Sequence, residues 1–145
     1  MPDLFPAFSM PFLVQNEGPN DVQYPESPLF DFATGDFVID GAGRFVMADG
    51  HTAWAQWCQK AVLTERFACL AYSSDYGSEI RNAIRQPTRA AVRSELERTI
   101  TETLLADPRT QMVTDFEYEF EGDSVTVSFT AVPVIGQEQR MEVSV

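Results

Sequence analysis

Residues 115–145 alternate. Phe116, Tyr118 and Phe120 take turns with Asp115, Glu117, Glu119 and Glu121. After Gly122-Asp123 the pattern resumes as Val125, Val127, Phe129 and Ala131 against Thr126, Ser128 and Thr130. Period two over two runs predicts antiparallel strands with one buried face, because successive side chains of a strand point to opposite sides. Gly122-Asp123 supplies the turn between them. Pro133 ends the second run or marks a bulge, and Gly136-Gln137 turns the chain again before Met141, Val143 and Val145 alternate. This last strand is expected at a sheet edge, with one row of free N–H and C=O groups. An edge of that kind accepts a strand from another chain.

Helical spacing comes before the sheet. Trp54, Trp57, Cys58, Ala61 and Val62 recur every three or four residues, which puts them on one face of a helix ending near Arg66. Asp49 is its expected N-cap. Ser78–Arg85 can form a short helix stopped by Pro87. A longer helix is predicted over 88–106, with Val92, Leu96, Ile100 and Leu104 as its buried stripe and Arg93/Glu97 and Arg98/Glu102 as i,i+4 pairs. Upstream, Phe30-Asp-Phe32, Phe37-Val-Ile39 and Arg44-Phe-Val-Met47 read as short strands, joined by turns with Gly beside Asp. The fold class is therefore α+β: an antiparallel sheet of 30–47 and 113–145 elements, packed by helices near 50–65 and 88–106.

Residues 1–28 differ in kind. They hold six of the nine prolines, yet Leu4, Phe5, Phe8, Met10, Phe12, Leu13 and Val14 are apolar. Such an arm needs a surface to lie on, either the chain's own core or a neighbouring subunit. The division is thus an arm, 1–28, and a domain, 29–145. Deleting residues 1–25 is expected to leave the domain folded but to weaken assembly. No window approaches a membrane span, and the first residues lack the basic and apolar segments of a secretory signal.

The net charge is −12, with seven acids and no base in residues 1–43, and seven acids and one arginine in 111–145. A nucleic-acid partner is not expected, because phosphate binding requires a basic face. The one concentration of positive charge, Arg81, Arg85, Arg89 and Arg93, is broken by Pro87 and reads as a solvated face. Cys58 and Cys69 both fall in apolar surroundings and read as buried thiols. His51 is the only histidine, which argues against a structural zinc site and against a Ser-His-Asp triad. No cofactor is implied.

The stretch Leu63–Gly77 joins what look like two buried elements, with Glu65 and Arg66 at the joint. Three roles are open to that pair: chemistry, holding the fold, or facing a partner. For chemistry, Glu65 and Asp75 flank an aromatic segment, and a peptidoglycan-cleaving lysozyme needs two carboxyls in a cleft. Two acids ten residues apart among 22 carry little weight.

The order of motifs resembles a known family. Asp31-Phe-Ala-Thr-Gly-Asp-Phe-Val-Ile39, Asp49-Gly50 and the Trp57 helix come first. Leu63-Thr-Glu-Arg-Phe67 and Ala71-Tyr-Ser-Ser-Asp-Tyr-Gly77 follow, then Asp107-Pro-Arg109, Asp115-Phe-Glu-Tyr-Glu119 and Phe120-Glu-Gly-Asp-Ser-Val125. Over about residues 30–130 this resembles the XkdS-like proteins, small wedge components of contractile phage-tail baseplates. These are related to TssE-type proteins and to others once labelled lysozyme-like. The wider family often has Glu-Pro-Arg where this chain has Glu65-Arg66 with no proline between. The resemblance implies a structural protein rather than an enzyme, present in six copies in the virion baseplate and assembled in the host cytoplasm. It implies larger wedge proteins, a tail sheath subunit, and tube or hub proteins as partners. Glu65 and Arg66 are nominated toward the wedge, the run 138–145 with Met141, Val143 and Val145 toward the sheath, and Tyr76, with Phe5, Phe8 and Phe12 in the arm, as further partner contacts. A soluble regulatory adaptor of the same fold is the other non-enzymatic alternative.

Overall fold

The computed structural model describes residues 22–145. Its largest sheet is the one the alternation demands. Strands β5 (Thr110–Glu121), β6 (Ser124–Pro133) and β7 (Gln139–Ser144) are antiparallel, in the order β5-β6-β7. Gly122, at φ +60, takes the first turn position between the paired Glu121 and Ser124, as a tight hairpin requires. Val125, Val127, Phe129 and Ala131 are buried, with Met141 and Val143 beside them.

Two helices cover that face. Helix α1 (Gly50–Leu63) starts where the Asp49 carboxylate accepts from the Thr52 amide at 2.7 Å. It buries Trp54, Cys58, Ala61 and Val62, while Trp57 is only half-buried at the rim. Helix α2 (Ile80–Ile84) is a single turn ahead of Pro87. Helix α3 (Arg89–Leu105) is capped by Thr88 Oγ1 on the Ala91 amide and buries Val92, Leu96, Ile100 and Leu104. Each such aliphatic side chain contributes about 1.5–3 kcal/mol by leaving water. On its outer side Arg98 forms the expected ion pair with Glu102 at 2.9 Å and a second with Glu95 at 2.8 Å. Arg93 instead lies over the Phe120 ring with Arg89.

The upstream strands do not join the main sheet. β1 (Ser27–Pro28) pairs with β4 (Met47–Ala48), and β2 (Phe30–Asp31) with β3 (Asp36–Phe37), as two separate two-stranded ribbons. The expected single sheet is thereby corrected. Runs this short pair locally through their turns and leave the long β5–β7 ladder to itself. Residues 22–28, read as the end of the arm, lie against the domain. The Tyr24 hydroxyl donates to the Arg109 carbonyl and accepts from the Ile135 amide. A Cβ on Gly50 would run into the Tyr24 carbonyl. The arm residues Phe5, Phe8 and Phe12 lie outside the described residues.

Candidate functional site

Helix α1 stops at Leu63, short of Arg66, because Thr64 turns extended and recruits residues 64–66 to a short parallel pairing. The Ser78 amide donates to the Thr64 carbonyl at 2.8 Å, and the Arg66 amide to the Ser78 carbonyl at 2.9 Å. Buried hydroxyls fasten this base to the helices: Ser78 Oγ donates to the Val62 carbonyl, and Thr103 Oγ1 lies 3.0 Å from the Gly77 carbonyl. Gly77, at φ +100, sits so close that a Cβ would stand 2.9 Å from backbone atoms of Arg66 and Thr64. Only glycine fits there.

In an extended segment, neighbours point opposite ways. Glu65 and Arg66 therefore do not pair with each other. Glu65 reaches the Arg81 guanidinium at 3.0 Å, while Arg66 Nε donates to the Gly77 carbonyl at 3.2 Å. Arg66 thus braces the base of the loop, and Glu65 faces a groove. The two carboxylates of the hydrolase alternative part company as well. Glu65 lines the groove with Ile80 and Val145, whereas Asp75 lines a different hollow with Arg66 and Glu102. A glycosidase needs both in one cleft.

Between the zipped ends, residues 67–76 form a compact loop whose closed base resembles that of an Ω-loop. Most of its apolar side chains face solvent. Phe67 is 69% exposed and Leu70 fully exposed, and Cys69, expected to be buried, is exposed too. The apolar run lies at the tip, beyond reach of the core. One flank is tied back to α1: Tyr76 packs edge-on against Trp57 at 5.9 Å, Tyr72 lies 4.5 Å from Tyr76, and Lys60 sits over Tyr72. Burial raises the Tyr76 phenol above its ordinary range, and the contact with Tyr72 raises the Lys60 ammonium. Tyr76 is thus half-buried scaffold.

The groove beside Glu65 has a volume of about 390 Å³ and runs between the end of α1, the start of α2 and the end of β7. It brings Glu65, Arg81, Val143 and Val145 together, two regions that are far apart in sequence. A second hollow continues along β7, between Gln139–Glu142 and the face of α1 that carries Thr52, Gln56 and Gln59. The free edge of β7 lies between them. Val125 and Val145 exchange both backbone bonds, at 3.0 and 2.9 Å. Antiparallel alternation then assigns Val143 and Met141 to bonds with β6, and turns the amides of Arg140, Glu142 and Ser144 outward. Among the described residues no strand pairs there. The site residues Met141 and Val143 are core side chains, so an incoming strand meets the backbone of the intervening residues. Period two could have given that assignment, had the buried parity been carried through to the edge.

The other sheet edge is different. β5 breaks register between Thr110 and Met112 and again between Thr114 and Glu117, where Asp115 adopts φ +55. Bulges and charge blunt an edge against pairing. The β6–β7 register is unbroken. Elsewhere, the lone histidine is occupied, His51 Nε2 lying 2.7 Å from the Gln137 carbonyl. Among the described residues no cluster of metal-ligating side chains occurs.

Residues 27–134 match the family of contractile injection system sheath initiators. The chain is also similar to phage-like element PBSX protein XkdS of Bacillus subtilis (strain 168), with 39% identity over 82 residues. That alignment covers 55% of this chain and 58% of the relative, so the chain spans little more than half of that protein's length.

Proposed function

The chain belongs to the contractile injection system sheath initiator family, and from that premise we propose that it is a structural baseplate protein that starts the tail sheath by lending the free edge of β7. The single observation behind this is the unbroken edge of β7, unpaired among the described residues, beside a blunted β5. A sheet with one open edge adds one strand in one place. Main-chain hydrogen bonds give such an addition its affinity, and side-chain pockets give it its register. The hollows along α1 would seat alternate side chains of the incoming sheath strand. β7 lies beyond the residues matched to the family, so its role here rests on geometry.

In the same reading the loop tip around Phe67 and Leu70, with Glu65 at its flank, faces the larger wedge subunits. Arg66 and Tyr76 hold that loop in shape. Phe5, Phe8 and Phe12 anchor the arm on an apolar surface. Six copies ring the baseplate of a virion assembled in the host cytoplasm, with tube or hub proteins nearby.

The test is seeding. Purified sheath subunit is mixed with this protein and assembly followed by light scattering. Glu142→Pro removes one outward amide and leaves the β6 ladder intact, a position proline tolerates. Wild type should seed assembly, and the variant should melt as wild type does but fail to seed. Equal seeding by the two proteins would refute strand lending.

A further inference from the structure

Phe30 and Phe32 of the ribbons line the second hollow along β7, but Phe37, Ile39, Phe45 and Met47 line neither hollow. Phe30 pairs across from Phe37, Ile39 bridges Phe45, and Pro28 pairs with Met47. Two-residue spacing puts Phe37 with Ile39, and Phe45 with Met47, on common faces. All four are about half exposed: 45%, 55%, 56% and 51%. The rings form a ladder of edge-on contacts, Phe32–Phe30 at 5.0 Å, Phe30–Phe37 at 5.3 Å and Phe37–Phe45 at 5.5 Å. A contiguous aromatic surface of this kind signals an occupant.

Aromatic ladders suit proline-rich segments. Proline fixes the extended polyproline conformation in advance, so little entropy is lost on docking against rings. This chain carries such a segment, Leu4-Phe-Pro-Ala-Phe-Ser-Met-Pro-Phe-Leu13, with two prolines among seven large or small apolar neighbours. It is tethered close by: the described chain begins at Val22 and enters β1 at Ser27, within the ribbons themselves. The nine residues from Leu13 to Val22 reach about 28 Å when extended. A short tether also gives an effective concentration of about millimolar, far above that of a second copy at micromolar protein.

We propose that residues 4–13 dock in cis across the Phe30–Phe37–Phe45 face of the free subunit. Phe5, Phe8 and Phe12 are the anchors. The inference concerns the isolated chain and stands or falls independently of strand lending.

The full-length protein with a benzophenone amino acid at Phe8 tests it. Illumination at low micromolar concentration should give a monomer-mass product whose cross-linked peptide lies within residues 37–47. Products confined to the α1–β7 hollows, or of dimer mass, would overturn docking in cis on this face. Two further full-length variants guard against misfolding. Phe37→Ser with Phe45→Ser should abolish the cross-link. Phe5→Ser, Phe8→Ser and Phe12→Ser together, without the photoprobe, should raise amide exchange across residues 37–47. An unchanged cross-link or unchanged exchange would overturn the proposal.

Discussion

Gly77→Ala tests whether the loop base is as tight as its geometry. A Cβ at this residue would lie 2.9 Å from Arg66 Cα, Arg66 N and the Thr64 carbonyl oxygen, and all three are backbone atoms that cannot swing away. Two costs add. A side chain at φ +100 carries left-handed strain of about 1–2 kcal/mol. Relieving the contacts pushes residues 64–66 away from 77–78, weakening two backbone hydrogen bonds worth about 1 kcal/mol each. The sum is about 3–4 kcal/mol, or a fall of about 10 °C in Tm for a domain of this size. Gly35→Ala is the control, since Gly35 shares a positive φ, +75, but has nothing within 4 Å of its added Cβ. It should cost about 1 kcal/mol from strain alone. Urea melts of both variants decide the matter. If Gly77→Ala costs no more than Gly35→Ala, the close approach is not what makes glycine necessary.

Two further predictions concern the interior. Asp107 and Arg109 form a nearly buried pair, side chains 9% and 12% exposed, closed by a 2.7 Å contact and a bond from the Arg109 amide. Asp107→Asn leaves the guanidinium buried without its counter-charge and should cost about 3–5 kcal/mol in a urea melt; a loss below about 1 kcal/mol would show the pair is solvated. Burial pushes the Cys58 thiol up to about 12, whereas Cys69 is exposed. A thiol reagent at mildly alkaline pH should therefore label Cys69 alone in the native protein and both cysteines in urea. Native labelling of Cys58 would mean that α1 opens readily.

What could be read in the sequence was whatever carried its own period. The β5–β7 alternation, the α3 stripe and the Asp49 cap each follow from residues within one element, and each stands in the structure. What could not be read depends on contacts between distant residues. Phe67, Cys69 and Leu70 have the composition of a core segment. Their exposure follows from the zipping of Thr64–Arg66 to Gly77–Ser78, a pairing without periodicity. The partner of Glu65 is Arg81 rather than the adjacent Arg66 for the same reason. The arm's end also depends on distant contacts. Pro25 and Pro28 suggest a tail, whereas the Tyr24 hydroxyl bridges Arg109 and Ile135, contacts that no local pattern announces.

The loop tip is where stability and assembly should separate. Phe67 holds a positive φ, +68, at a strain of about 1–2 kcal/mol, and gains little burial for its ring. The turn closed by the Ala68 amide on the Glu65 carbonyl holds this φ, and the largely exposed ring it presents fits a surface shaped for contact. Leu70 is the cleanest probe, since at 104% exposure its side chain meets no core. Leu70→Ser should leave the urea melt within about 0.5 kcal/mol of wild type, as surface changes do. If the tip docks on a wedge subunit, the same change removes about 1.5–3 kcal/mol of apolar burial from the interface. That corresponds to roughly 10- to 100-fold weaker binding, measurable by titration with the isolated wedge partner. An affinity unchanged by Leu70→Ser would place the wedge contact elsewhere. It would leave the loop's strain without a functional account.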